Sequence, residues 1–362
     1  MNYNYSNEFI LNMMERAIEL SKRGRGNVSP NPLVGCVIVK DSKIIGEGYH
    51  EIYGGNHAEK NAIDNCIEDP LGSTAFVTLE PCCIHSKTPP CTQVLIDNGI
   101  DEVFIASKDP NPDINGKGIE QLKNSGINVY QGFLDKDVSK LNKGFFKWVK
   151  EGLPFVAVKI AQNQDGYMGV NNETQTWITN EESRKNSHYL RSKMDSILIG
   201  TQTARIDNPK LTVRSVKGKN PKRIIVDMNR TLPQDINVFS DNEAETIVLC
   251  SENLFDRNKT SNCKYIPVKE VGGKMDVRDV LKKIANEGIT SVLIESGPKL
   301  IKSFDQHKLI DEVYLYSSYV DIPHSSLLNP LKLENEWLLK SNKMLGTNEL
   351  QVFKRKELCL QE

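Results

Sequence analysis

The chain has 362 residues, with 46 Lys and Arg against 47 Asp and Glu and a formal net charge of −1. That balance argues against a duplex- or tRNA-binding protein, which uses a basic surplus to neutralise phosphates. The length favours two domains, each large enough to bury a core. No apolar run approaches the roughly 20 residues a membrane span requires, the longest lying near Val34–Val39. The opening Met1-Asn2-Tyr3-Asn4-Tyr5-Ser6 carries neither the basic nor the apolar block of a signal peptide. Eight cysteines, three of them within ten residues, fit metal-bound thiolates in a reducing cytoplasm better than a disulfide scaffold.

Phe9, Ile10, Met13, Met14, Ala17 and Ile18 recur at helical spacing and predict a helix over 9–20, capped at Ser6-Asn7. Ser29-Pro30-Asn31-Pro32 forces a turn, and Val34–Val39 reads as a buried strand. Lys40-Asp41-Ser42-Lys43 returns the chain into Ile44–Tyr49, completing a hairpin. Gly54-Gly55-Asn56 leads into a helix opening at His57. His57 and Glu59 are two apart, so they share no face in a helix interior and converge only on its first turn. Ala75–Leu79 is a strand delivering Glu80-Pro81-Cys82 at its carboxyl end. After the rigid Pro89-Pro90, Cys91 opens another helix, stopped by Gly99. Both thiols thus lie near helix amino termini, whose partial positive charge favours thiolates. Strand Glu102–Ala106 and the turn Asp109-Pro110-Asn111-Pro112 follow, giving an α/β three-layer domain over residues 1–147.

These residues carry a recognisable chemistry. His57, Cys82 and Cys91 supply one imidazole and two thiolates, an N/S set that suits Zn²⁺ and leaves a fourth tetrahedral position open for water. Glu59 is the spare carboxylate, able to shuttle protons beside a metal-acidified water. H-x-E followed by P-C and a second Cys is the pattern of zinc nucleobase deaminases. The bland reading makes His57 a core histidine and the cysteines buried small hydrophobes. Cys83 competes with Cys82, but only Cys82 follows a proline. His85 reads as a substrate contact or a solvated loop residue, and Cys36, Cys66, Cys250, Cys263 and Cys359 as packing residues.

A short helical connector, closing at 148–152, is broken by Gly152-Leu153-Pro154, and a second α/β rhythm occupies 153–362. Strands are expected at Phe155–Ile160, Ile197–Gly200, Ile224–Asp227, Thr246–Cys250, Val292–Glu295 and Glu312–Tyr316, with helices near 180–193 and 276–286. No G-x-G-x-x-G follows any strand, so a Rossmann dinucleotide site has no support. Glu295-Ser296-Gly297 ends a strand and opens a helix whose N–H groups could receive a pyrophosphate. Asp207-Asn208-Pro209 reads as a loop beside Arg214, with Arg191 near the end of a helix. Arginine's planar fork suits a phosphate, although a turn, a surface charge and a packing glycine would look the same here.

Spacing narrows the choice. Deaminases of nucleic acid and free nucleosides mostly carry P-C-x-x-C, whereas eight residues separate Cys82 from Cys91. The segment from Pro81 to Cys91 instead resembles the P-C-S-H-x-G-R-T-P-P-C loop of the bifunctional riboflavin-biosynthesis deaminase/reductases. Asn31-Pro32-x-Val34-Gly35, Gly48-Tyr49-His50, His57-Ala58-Glu59, and Asp109-Pro110-Asn111-Pro112 through Gly116 and Gly118 are similar to the same family. So are Lys159-x-Ala161-x-x-x-Asp165-Gly166, Trp177-Ile178-Thr179, His188-x-Leu190-Arg191 and Asp195. Gly200-x-x-Thr203-x-x-x-Asp207-Asn208-Pro209-x-Leu211, Arg214 and Glu295-Ser296-Gly297 complete the likeness.

The resemblance implies a cytidine-deaminase-like amino-terminal domain and a dihydrofolate-reductase-like carboxyl-terminal domain using NADPH. The first would remove the 2-amino group of a 2,5-diamino-6-ribosylamino-pyrimidinone 5′-phosphate, with Glu59 moving the protons. Asn31 and His50 would hold the pyrimidine or ribose, and Lys87 the phosphate. The second would reduce the opened ribose to a ribityl chain. There Asp207 would assist proton transfer, Arg191 and Arg214 would clamp the 5′-phosphate, and Trp177 would touch substrate. Lys159, Thr179, Thr203, Glu295, Ser296 and Gly297 would line the nicotinamide nucleotide. Four departures stand out: Ile84 for a His, Ser86 for a Gly, Gln175 for a hydroxyl residue, and no Ala-Pro-x-x-x-Gly after Tyr316. They keep open a homologue with one decayed half, and a base deaminase on nucleic acid remains the other competing enzyme. A small-molecule substrate, no nucleic acid and no membrane are expected, and a homo-oligomer fits the habit of such two-domain enzymes.

Overall fold

The computed structural model describes residues 4–85, 89–170, 177–255 and 263–356. The chain divides into two compact units, Met1–Gly152 and Leu153–Glu362. The Asn142 side chain binds both backbone groups of Leu33, accepting from its N–H at 2.8 Å and donating to its carbonyl at 2.9 Å.

In the first unit β1 (Gly35–Lys40) and β2 (Lys43–Tyr49) form the expected hairpin. Asp41 (φ 47°) and Ser42 (φ 60°) both take the left-handed conformation that a two-residue hairpin turn requires. β3 (Thr74–Leu79) pairs antiparallel with β1, and β4 (Glu102–Ser107) and β5 (Asn128–Gln131) then add in parallel, in the order β2-β1-β3-β4-β5. Strand alternation splits the apolar residues between two faces. Val37, Val39, Phe76 and Phe104 meet Ile10, Met14 and Ala17 of α1 (Asn7–Ser21) and Val138 of α5 (Asp135–Leu141). Cys36, Ile38, Ala75, Val77 and Ile105 meet Ala58 and Ala62 of α2 (Ala58–Asp64), Leu95 of α3 (Cys91–Asp97), and Ile119 and Leu122 of α4 (Lys117–Asn124). Burying each large side chain stabilises by about 1.5–3 kcal/mol, which fixes the three layers. Helix α6 (Lys143–Glu151) closes the unit.

Close approach of α2 to β2 depends on Gly48. A Cβ there would sit 2.3 Å from the Ala62 nitrogen and 2.5 Å from the Ala58 carbonyl oxygen. The first turn of α2 therefore rests on the sheet.

The second unit is built on β6 (Phe155–Asn163), β7 (Ser196–Gly200), β8 (Lys222–Val226), β9 (Thr246–Ser251) and β10 (Lys264–Val268). A small hairpin, β11 (Glu270–Val271) and β12 (Lys274–Met275), precedes β13 (Ser291–Ile294) and β14 (Glu312–Ser318). The sheet order is β10-β9-β8-β7-β13-β6-β14-β16-β15, parallel except for β15 (Trp337–Leu345) and β16 (Asn348–Arg355). One face packs on α10 (Val277–Asn286) and α11 (Pro298–Gln306), the other on α7 (Glu181–Arg191), α8 (Thr201–Asp207) and α9 (Asn237–Ser240). The expected strands all form. The chain after β14 is sewn to the turn that follows β6. Met168 N–H donates to the Leu327 carbonyl at 2.7 Å, Leu327 N–H to Gly169 at 3.2 Å, and Asn329 N–H to Gly166 at 2.9 Å. Among the described residues, no helix is long and apolar enough to cross a membrane.

Candidate active sites

His57 is the N-cap of α2, with extended backbone (φ −77°, ψ 168°), and Glu59 lies in the first turn behind it. Cys82 follows the carboxyl end of β3, and Cys91 opens α3. These elements bring His57 Nδ1 to 3.5 Å from Cys82 Sγ and 3.3 Å from Cys91 Sγ, all three ligand atoms lying within 4.8 Å of one another. Around a tetrahedral zinc with bonds of about 2.0–2.3 Å, neighbouring ligand atoms stand about 3.3–3.8 Å apart. The donor set therefore fits the ion. Cys83 is outside the cluster.

Electrostatics point the same way. A hydrogen bond from Cys91 holds the Cys82 thiol down at about 4, with help from His57 and against the effect of burial. Cys91 is pushed well up by that same bond to Cys82, with burial adding to it. Protein atoms alone thus support one thiolate here, and a dication is what would let both ionise. The buried Glu59 carboxyl is raised by desolvation, then by the negative Cys82. A carboxyl raised above its ordinary value suits a group that both takes and gives a proton.

Asn31 and His50 sit beside this cluster. His50 Nδ1 faces the Asn56 carbonyl at 2.9 Å, which places the proton on that nitrogen and leaves Nε2 to accept from Asn31 Nδ2 at 3.1 Å. Burial lowers the His50 pKa, keeping the ring neutral. Its ring meets that of His57 edge-on, with centroids 5.2 Å apart. Lys87 and Ser86 lie outside the described residues.

Glu80 was legible only as part of a motif. Its carboxylate accepts from Asp109 N–H at 3.3 Å, Gly116 N–H at 3.0 Å and Ile119 N–H at 3.2 Å. Gly118 is required beneath it, because a Cβ there would lie 2.2 Å from the Pro81 carbonyl oxygen.

The second unit gathers charged residues at the carboxyl ends of its parallel strands, where ligands of such sheets bind. Arg191, the last residue of α7, pairs through Nε and Nη2 with Glu295 at 2.7 and 2.9 Å, and its Nη1 donates to the Thr212 carbonyl at 3.2 Å. Lys159, on β6, is lowered by burial while Glu295 and Asp207 pull it back up. Asp207 is raised by burial and lowered by Lys159. Contrary to expectation, Asp207 is not in a loop but ends α8, with Asn208 as a left-handed cap. Arg214 donates through Nη1 to Thr212 Oγ1 at 2.7 Å, and its backbone N–H donates to His188 Nδ1 at 3.2 Å. Ser296 Oγ accepts from Gly200 N–H at 3.1 Å and lies 3.4 Å from Thr203 Oγ1, and Gly297 is the N-cap of α11. The exposed Trp177 and the Thr179 carbonyl are tied instead to Arg184, at 5.3 Å from the ring centroid and 2.6 Å respectively. Gln175 lies outside the described residues.

Comparison with known proteins divides the chain along the same line. Residues 7–107 match the cytidine and deoxycytidylate deaminase zinc-binding region, and residues 154–318 match the RibD C-terminal domain. The riboflavin biosynthesis protein RibD of Actinobacillus pleuropneumoniae is 39% identical over 310 residues, covering 84% of this chain and 82% of that protein. RibD of Aquifex aeolicus is 38% identical over 312 residues, covering 84% and 85%. The crystal structure of a diaminohydroxyphosphoribosylaminopyrimidine deaminase/5-amino-6-(5-phosphoribosylamino)uracil reductase from Thermotoga maritima superposes with a TM-score of 0.86 at 34% identity, covering 96% of this chain and 99% of that one.

Proposed function

Since the chain belongs to the RibD family of bifunctional riboflavin-biosynthesis deaminase/reductases, we propose a residue-by-residue assignment of its two reactions. The amino-terminal half is cytidine-deaminase-like and the carboxyl-terminal half is a dihydrofolate-reductase-like RibD domain. The match over most of the chain replaces the reading as a nucleic-acid deaminase.

The first reaction takes a 2,5-diamino-6-ribosylamino-pyrimidinone 5′-phosphate and hydrolyses off the 2-amino group. His57, Cys82 and Cys91 would hold zinc, which supplies Lewis-acid activation of water when bound. Glu59 takes a proton on one side of the reaction and gives it to the departing amine on the other. Neutral His50, oriented by Asn56 and paired with Asn31, presents polar edges to the pyrimidine or ribose. Lys87 would neutralise the phosphate.

The second reaction converts the ribose of the deaminated product to ribityl. NADPH would supply the hydride. Lys159, Thr179, Thr203, Glu295, Ser296 and Gly297 would hold that nucleotide, while Asp207 manages the proton at the sugar. Arg214 and Arg191 would clamp the phosphate and Trp177 would touch substrate. Of the five N–H donors of Arg191, three are engaged by Glu295 and Thr212, so Arg214 takes the larger share. All described cysteines are free thiols, which fits a cytoplasmic setting.

The observation that carries the assignment is the meeting of His57 Nδ1 with the sulfurs of Cys82 and Cys91 beside buried Glu59. Its test is to assay ammonia release and NADPH oxidation separately on the purified chain and to measure its zinc. Protein without zinc and without ammonia release overturns the amino-terminal assignment.

A further inference from the structure

We propose that Thr92 is a positioning residue that sets the separation of the two cysteine ligands, with Glu80 and α4 acting as its abutment. The inference rests on the metal-centre reading above and deepens it. Thr92 follows the ligand Cys91 directly and is fully buried. Its backbone N–H donates to the carbonyl of the other ligand residue, Cys82, at 3.1 Å. Its hydroxyl lies 3.3 Å from that same carbonyl and 2.9 Å from the side-chain amide of Gln121 on α4. One hydroxyl proton cannot serve both acceptors. A half-turn of the Gln121 amide resolves this, with Nε2–H donating to Thr92 Oγ1 and the Thr92 O–H donating to the Cys82 carbonyl. The two ligand-bearing segments are then crosslinked through one threonine.

That crosslink is only as firm as α4, whose start is held by Glu80. Its carboxylate takes the N–H groups of Gly116, the N-cap, and Ile119 in the first turn, at 3.0 and 3.2 Å. Glu80 is itself pinned by its N–H to the Ser107 carbonyl at 2.9 Å, at the end of β4. Because Glu80 immediately precedes Pro81-Cys82, the chain leaving β3 grips the helix that steadies Thr92. The loop from ligand to ligand is thereby closed: Cys82, Thr92, Gln121, α4, Glu80 and back to Cys82. Residues that orient metal ligands typically govern affinity by 10–100-fold when removed.

The test is zinc affinity, measured by chelator competition on the full chain, with Tm as the folding control and NADPH oxidation as an internal control in the other unit. Thr92→Val keeps the shape and removes the hydroxyl. It is expected to weaken zinc binding about 10-fold or more with NADPH oxidation unchanged, while Thr92→Ser restores affinity. Gln121→Leu, at a partly exposed site that the core does not depend on, is expected to weaken zinc binding several-fold. Thr92→Val and Gln121→Leu proteins that hold zinc within about twofold of the unaltered chain overturn the proposal. Failure of the unaltered chain to take up zinc overturns the metal centre itself, a different result.

Discussion

Arg191 and Glu295 face each other as a two-point ion pair, Nε to Oε1 at 2.7 Å and Nη2 to Oε2 at 2.9 Å, with side chains only 14% and 10% exposed. Burial alone would raise the Glu295 carboxyl, yet Arg191 overrides it and holds the group at about 2. Two buried charges that satisfy each other leave a costly orphan when one is removed, about 3–5 kcal/mol. Arg191→Met should therefore destabilise the carboxyl-terminal unit by about that amount, read as an earlier urea transition of the full chain. The double change Arg191→Met with Glu295→Leu should recover most of the loss. A double variant as weak as the single one would refute this account of the pair.

The same pair sets an acid limit. A carboxylate whose folded pKa lies below its unfolded value contributes stability above the unfolded value, and the contribution is lost as pH falls through the folded one. For Glu295 that window runs from the ordinary 4.5 down to about 2. Tm of the carboxyl-terminal transition should fall across it, and in Glu295→Gln the fall should be shallower. Parallel Tm profiles for the two proteins would exclude Glu295 as the source.

Glu59→Gln keeps the shape of the side chain and removes its ability to exchange a proton. Zinc content should be retained and ammonia release should drop about 10²–10⁴-fold, while NADPH oxidation is unaffected. Activity persisting at the unaltered level would assign the proton work elsewhere.

Gly48→Ala tests whether the deaminase centre depends on the sheet beneath it. The added methyl would collide with the Ala62 nitrogen and Ala58 carbonyl, lifting the start of α2 and with it His57 and Glu59. Overpacking of this kind costs about 1–3 kcal/mol. Metal analysis should find reduced zinc, with the reductase half spared. Full zinc occupancy would mean that α2 yields elsewhere.

The amino-terminal layers were legible because apolar alternation, turn residues and caps agreed at each step, as at Asp41-Ser42 and at Ser6, whose Oγ accepts from Phe9 N–H. The meeting of His57, Cys82 and Cys91 was legible because zinc chemistry restricts residue types strongly. The role of Glu80 was hidden, since its partners are backbone N–H groups of residues 109–119, and any residue but proline supplies one. Asp207 was misplaced because Asn208-Pro209 signals a turn equally well after a helix. The last hairpin went unread for a different reason. Between Leu338 and Met344, β15 is exposed on both faces and shows no apolar alternation to detect.

The stretch beyond β14, past the residues 154–318 that match the RibD C-terminal domain, is fastened at Gly166, Met168, Gly169, Leu327 and Asn329 mainly through peptide groups, with one side-chain bond from Asn329 to Gln162 at 2.7 Å. Main-chain fastenings are indifferent to spelling. A lineage could thus rewrite most of the letters there, Asn329 excepted, while the rim at the ends of β6 and β14 keeps its form, leaving that border free to diverge without unmaking the catalyst beneath it.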